Sequence, residues 1–287
     1  MTNTITRATF TGQVFIGEWF IMNHIPNPWF ALAPNKVYSE TSGNIIKLRR
    51  AGDNAESSFE FVNGELDKTA INNWIVAGGL PNNAYYTEWY NQLGNSPEKI
   101  IQATATDQPQ YIANAINNRV GFQSVVPSSF LVELTGNVIP EKTSAATIFV
   151  VVNIIGDQGL SSGGFISTNE TFTNNMFKIT LATTTLRIQG KDNAGDNFIT
   201  PTIAGATGIK LWTIVFDGVG NIKVYVNDDA VAGIDYDPAG GFLNNMRKII
   251  LGKFGGTMTE CLIFDSVLSD GQKQTVKDYL NNKYAIY

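Results

Sequence analysis

The sequence predicts an all-β protein: an antiparallel β-sandwich, closed by one short C-terminal α-helix and preceded by an N-terminal arm. Three observations predict it. Apolar, β-branched runs of strand length recur through the second half, separated by turns rich in Gly, Asn and Asp. These runs do not alternate with the long helical periods that βαβ units require. The last twenty residues carry a helix start signal and one apolar stripe.

The elements follow in order. Residues 1–30 read as an arm or docking segment. Val14-Phe15-Ile16 and Trp19-Phe20-Ile21 resemble strand material, and Pro26 and Pro28 favour an extended connector. Residues 31–287 read as the sandwich domain. Ile45 to Arg49 and Ser58 to Val62 are predicted strands, the second closed by the turn dipeptide Asn63-Gly64. Leu66 to Ala77 suits a short helix with Asp67 as N-cap, Ile71, Trp74 and Ile75 on one face, and Gly78-Gly79 as the stop. Tyr85 to Tyr90 is the next strand.

The signal is clearest from Val125 onward. Thr147 to Val152 is a continuous apolar run, the pattern of a central strand covered on both faces. Phe177 to Leu181 and Leu186 to Gln189 alternate, as half-exposed strands do. Leu211 to Phe216, a Gly-containing turn at 217–221, and Ile222 to Asn227 form a hairpin. Lys248 to Gly252 and Thr259 to Phe264 add two strands. The closing helix runs from N-cap Ser269 to about Tyr284. Gln272 completes a capping box, and Val276, Leu280 and Tyr284 share one face.

Composition narrows the function. The 287 residues suit one large sandwich, and 43% hydrophobic content supplies a core. Only 16% of residues are charged, so Asn, Thr, Ser, Gln and Gly must cover much of the surface. A net charge of −5 argues against a nucleic-acid partner, which needs clustered Lys and Arg. No apolar run approaches the ~20 residues of a membrane span, so no membrane insertion is expected. Met1 to Thr11 lack the features of a signal peptide. The lone Cys261 excludes an internal disulfide and reads as a buried small hydrophobe, and the lone His24 excludes a His pair. P-loop, Rossmann, G-x-S-x-G and H-E-x-x-H signatures are all missing.

Two segments carry family resemblances. Leu211 to Gly218, Val224 to Asn227 and Glu260 to Asp270, the last with the pattern E-x₇-L-S-D, resemble the end of laminin-G-like and concanavalin A-like domains. That resemblance implies a concanavalin A-like jelly roll and leaves function open. Lys47 to Glu56 (Lys-Leu-Arg-Arg-Ala-Gly-Asp-Asn-Ala-Glu), Asn63 to Asp67, Glu88 to Asn95 and Ala103 to Pro109 resemble the arabinofuranosidase B catalytic family, related patterns of which occur in phage and bacterial proteins. Here Asn91 stands where that family has Asp and Leu93 where it has Ser, and one Cys cannot supply the family's cysteine pair. Retaining glycosidases need two carboxyls about 5 Å apart, and neither maps onto a position here. No catalytic residue is assigned.

Four residues are candidates for carbohydrate binding. Trp89 and Tyr90 offer faces for sugar stacking, and Asn91 and Gln92 offer amides for hydroxyls; the alternative is that they end a core strand. Asp53, with Asn54 and Glu56, could ligate Ca²⁺ through oxygen. The turn reading, with Asp53 capping its own backbone and pairing with Arg49 or Arg50, is preferred, and no cofactor is expected. Asp217 and Asn227, and the polar loop of Asp192, Asp196 and Asn197, read as turn formers. Phe15, Trp19, Phe20 and Trp29 are docking candidates, either on the chain's own domain or on a neighbouring subunit.

These features suggest three functions. The first is a bacteriophage virion component (capsid, spike or fibre), extracellular as part of the particle, whose sandwich contacts other virion subunits, its own copies or a cell-surface glycan. The second is a glycoside hydrolase of arabinofuranosidase type. The third is a free carbohydrate-binding or adhesion module.

Overall fold

The computed structural model describes residues 20–93, 99–124, 133–134, 145–156, 164–167, 176–182, 185–191, 197–199, 207–217, 222–227, 234–236, 250–251 and 255–287. Helix α1 (Ile21–His24) precedes β1 (Pro28–Leu32), β2 (Ile46–Arg50), β3 (Glu56–Phe59), β4 (Phe61–Val62) and β5 (Glu65–Leu66). After α2 (Lys68–Ala77) come β6 (Ala84–Tyr90), β7 (Lys99–Ile101), β8 (Gln110–Ile116), β9 (Arg119–Ser124) and β10 (Glu133–Leu134). The second half holds β11 (Ala146–Gly156), β12 (Gly164–Ser167), β13 (Met176–Ala182), β14 (Thr185–Lys191) and β15 (Asn197–Ile199). It continues with β16 (Gly208–Phe216), β17 (Ile222–Val226), β18 (Ile234–Tyr236), β19 (Ile250–Leu251), β20 (Gly255–Phe264) and α3 (Asp270–Tyr284).

All named pairings are antiparallel. The main sheet runs β10-β7-β6-β8-β9-β20-β11-β16-β17-β18, with β1 joined to β20 and β2-β3 joined to β6. A second sheet, β15-β14-β13-β12-β19, completes the all-β sandwich, and β4-β5 is a small hairpin. Its turn residues Asn63 and Gly64 both have positive φ, 53° and 79°, as a two-residue hairpin turn needs. The single predicted strand 58–62 is thus two strands, β3 ending at Phe59 and β4 starting at Phe61.

The central strands explain the apolar runs. On β11, Ile148, Val150 and Val152 join a core with Trp212 of β16, Ile263 of β20 and Ile71 of α2. Phe149 and Val151 join a second core on the opposite face, with Leu262, Phe264 and the α3 residues Val276, Leu280 and Tyr284. Both faces are dry, so alternation is lost there. Each such side chain contributes about 1.5–3 kcal/mol on burial.

Helix α3 starts as expected. The Ser269 hydroxyl accepts from Gln272 N (3.3 Å), and the Gln272 side chain accepts from Ser269 N (2.9 Å). Asp67 caps α2 by accepting from Ala70 N at 2.9 Å. Cys261 is buried, and burial pushes its thiol well above the usual range.

The described end of the arm packs on the chain's own domain, one of the two placements expected for it. The described part of residues 1–30 is built into the sandwich. Ile21, Met22 and Ile25 are buried in the second core, with Ile21 in a helical turn where strand was expected. Strand β1 pairs with β20 from Pro28↔Phe264 to Leu32↔Cys261. Pro28 is tolerated because it opens the strand. Phe15 and Trp19 lie outside the described residues. Phe20 is half-buried, with the Lys36 ammonium 5.5 Å from its ring centre. Trp29 is half-buried and packs on the first core.

Candidate functional site

The segment expected to bind sugar starts in β6. A bulge against β2 makes Thr87 an extra residue, since Lys47 pairs with Glu88 but Leu48 pairs with Tyr86. The bulge shifts the side-chain phase. Tyr86 and Trp89, three residues apart, would face opposite ways in a regular strand. Here both belong to the first core and stack at 5.4 Å between ring centres. Phe122 of β9 meets the Trp89 ring edge-on at 5.9 Å.

The two amides beyond β6 have structural duties. Asn91 Oδ1 accepts from Ala31 N (2.9 Å) and Leu93 N (3.2 Å). Gln92 Oε1 accepts from Val37 N (2.8 Å), while its Nε2 donates to Ala33 O (2.9 Å) and Asn35 O (3.0 Å). These side chains supply the free edge of β1 and the chain after it with partners that a neighbouring strand would otherwise provide. Trp89 is 3% exposed and Gln92 0%, so Trp89 has no free ring face for a sugar to stack on and the Gln92 amide is spent on the backbone. For Trp89, Asn91 and Gln92 this burial fits the alternative reading, that they end a core strand. Only Tyr90 reaches the surface, half-buried.

Around Tyr90 lies a charged patch. Its hydroxyl donates to Glu88, whose Oε2 also accepts from Lys99 Nζ at 2.7 Å. The Lys99 ammonium is 5.3 Å from the Tyr90 ring centre, and Lys47 pairs with Glu56 at 2.6 Å. Burial pushes the Glu88 carboxyl up, but hydrogen bonds from Lys99 and Tyr90 outweigh it and hold the group below its ordinary range. The Tyr90 phenol is pushed up to about 12 by burial and by Glu88.

The Arg-Arg-…-Asp-Asn-Ala-Glu segment is a brace. Arg50 Nε and Nη2 donate to the two Asp53 oxygens (2.8 and 2.7 Å), and Nη1 donates to Trp74 O (2.7 Å) near the end of α2. Asp53 Oδ1 also accepts from Ala55 N at 3.0 Å, so it caps its own turn. Arg49 reaches Gln108 Oε1 (2.8 Å) and Asn54 Oδ1 (2.7 Å). Both Asp53 oxygens are therefore committed to a guanidinium, which does not suit Ca²⁺. Among the described residues, no group of three or more His, Cys, Asp or Glu side chains is arranged to hold a metal. Asn227 likewise serves the backbone, accepting from Leu211 N at 3.0 Å. Asp192 and Asp196 lie outside the described residues.

One cluster escaped the sequence reading. Opposite β11, Thr259 is an extra residue in β20, between Glu260 (paired with Val151) and Met258 (paired with Val152). Glu260 is 1% exposed. It accepts from Tyr284 OH at 2.7 Å and from Lys283 Nζ, both on α3. Lys283 also donates to Tyr279 OH (3.3 Å), which accepts from Asn35 as well. Burial pushes the Lys283 ammonium down and the Tyr284 phenol up. The available signal was the initial Glu of the E-x₇-L-S-D pattern, which is Glu260 itself.

Neither a protein-family model nor a curated protein matches the sequence. Solved structures do match the fold. A GH54 α-L-arabinofuranosidase soaked with 4-nitrophenyl α-L-arabinofuranoside is similar over 92% of this chain, with TM-score 0.66 and 15% identity. An arabinofuranosidase complexed with arabinofuranosyl-α-1,2-xylobiose gives the same values. The fold resembles that of arabinofuranosidases. This chain spans 64% of their length, less than two thirds. A botulinum neurotoxin serotype D/C binding domain is similar at TM-score 0.41 and 13% identity, over 83% of this chain and 52% of that one, which is too loose to carry an argument. The arabinofuranosidase resemblance expected from Lys47 to Pro109 is thus supported at the level of the sandwich.

Proposed function

We propose that the chain is a bacteriophage virion component that uses an arabinofuranosidase-type, concanavalin A-like sandwich for contact with glycans or neighbouring subunits, and not for hydrolysis. The observation that carries the non-hydrolytic part is that carboxylates of the enzyme-like segment are engaged by cations, Asp53 by Arg50 at 2.7 Å, Glu56 by Lys47 at 2.6 Å and Glu88 by Lys99 at 2.7 Å. Asp53, Glu88 and Asp270 are each held below their ordinary range by hydrogen bonds from Arg50, from Lys99 with Tyr90, and from Lys273 respectively. A glycosidase general acid needs the opposite shift. Glu260, the most deeply placed of the described carboxylates, is engaged by α3.

The virion part is supported by composition: low charge, a polar neutral surface and the apolar residues before Phe20. In this reading Phe15 and Trp19 dock on other virion subunits or on copies of the chain, and the protein is found in the extracellular particle. Immunogold labelling of particles released by the encoding host tests it. Labelled particles are expected. Unlabelled particles, together with a soluble monomer that binds a glycan array, would leave a free carbohydrate-binding module instead.

The glycoside hydrolase reading is favoured by one observation, the TM-score of 0.66 over 92% of the chain. Release of nitrophenol from an arabinofuranoside separates it from the first reading.

A further inference from the structure

Strand β6 changes partner at its bulge. Glu88 to Tyr90 pair with β7, whereas Tyr85 pairs with β8. At the changeover Gln102 N donates to Thr87 O (3.0 Å) and Tyr86 N donates to Pro109 O (2.8 Å). β7 and β8 therefore part company, and residues 102–109 loop between them. A cavity with room for one water-sized group lies at this split. Its lining includes Thr87, Glu88, Trp89, Gln102, Pro109 and Phe122. Trp89 is 3% exposed, yet its indole N–H has no acceptor among the described residues. A buried indole N–H ordinarily finds one, because leaving the donor unpaired forfeits its bond to water.

We infer that this cavity holds a single hydroxyl-type oxygen that accepts from the Trp89 indole N–H, supplied either by a resident water or by a hydroxyl of a bound sugar. The chemistry selects that class. The donor is neutral and can only give a hydrogen bond, which excludes a cation as its partner. Glu88 in the lining disfavours an anion, and its carboxylate is already engaged by Lys99 and Tyr90. The cavity admits one oxygen, so a sugar would enter by one hydroxyl and leave its ring outside. The sugar source rests on the glycan contact proposed above; the water source does not.

Two measurements on the full chain distinguish the sources. A high-resolution crystal structure without sugar reads the cavity directly. Titration with L-arabinose follows the ¹⁵N-indole signals, with that of Trp89 assigned by its loss in Trp89→Phe, which keeps an aromatic ring in the core. Density for an oxygen about 3 Å from Nε1, with no shift of the Trp89 signal, supports the site with water as occupant. A saturable shift centred on the Trp89 signal supports it with a sugar hydroxyl. An empty cavity together with an unmoved signal overturns the inference. That last result leaves glycan contact elsewhere on the sandwich intact, which an array reads independently.

Discussion

At the scale of single residues, polar side chains near the expected sugar site serve the backbone. Gln92 satisfies Val37 N–H, Ala33 C=O and Asn35 C=O, all through one buried amide. Gln92→Ala strands these groups, and each buried group left unmade costs about 1–3 kcal/mol. The variant is expected to lose at least about 3 kcal/mol of stability by that reckoning, measured as a lower urea midpoint. Glu88 gives a pH signature. Its carboxyl is held below the ordinary range in the folded chain, so its contribution is fully present above about pH 4 and is lost as the pH falls through the lower folded value. For a half-buried pair this amounts to about 1 kcal/mol or less. Glu88→Gln is expected to flatten the acid limb of stability against pH; an unchanged limb would show that Lys99 and Tyr90 do not hold the charge.

At the scale of elements, α3 is held by apolar packing and, among the described residues, by the ionic contact of Lys283 with Glu260. Val276, Leu280 and Tyr284 are fully buried, while Lys283 and Tyr284 close on Glu260. Lys283→Met leaves a buried carboxylate without its cation and is expected to cost about 3–5 kcal/mol. Replacing both partners, Lys283→Met with Glu260→Leu, is expected to recover most of that loss in urea melts, because no charge is then stranded. A double variant as unstable as the single one would contradict this assignment. The elements most legible in the sequence are those whose signals are local. The capping box at Ser269, the cap at Asp67, the Asn63-Gly64 turn and the doubly covered run of β11 depend on residues close in the chain. Bulges at Thr87 and Thr259 were not legible, because an extra residue is defined by the partner strand. The Thr87 bulge turned Trp89 inward and made a plausible sugar platform into core. The Thr259 bulge accompanies Glu260 in its contact with α3. Likewise, Pro26 and Pro28 mark an extended chain, but not that β20 offers it an edge.

At the scale of the molecule, the chain has a sandwich similar in fold to that of arabinofuranosidases, while the polar residues of the segment from Lys47 to Pro109 brace loops and edges. Arg50 ties the Asp53 turn to the end of α2, Arg49 ties it to Gln108, and Asn91 and Gln92 tie the first strand to the sheet. Carboxylates of that segment sit against cations: Glu56 and Glu88 share Lys47 at 2.6 and 3.9 Å, Glu88 also meets Lys99 at 2.7 Å, and Asp53 meets Arg50 at 2.7 Å. The claim that the sandwich serves contact and not hydrolysis is tested most directly with the full chain and 4-nitrophenyl α-L-arabinofuranoside. The account predicts nitrophenol release no faster than in buffer alone. Sustained, enzyme-dependent release that scales with protein concentration would contradict it.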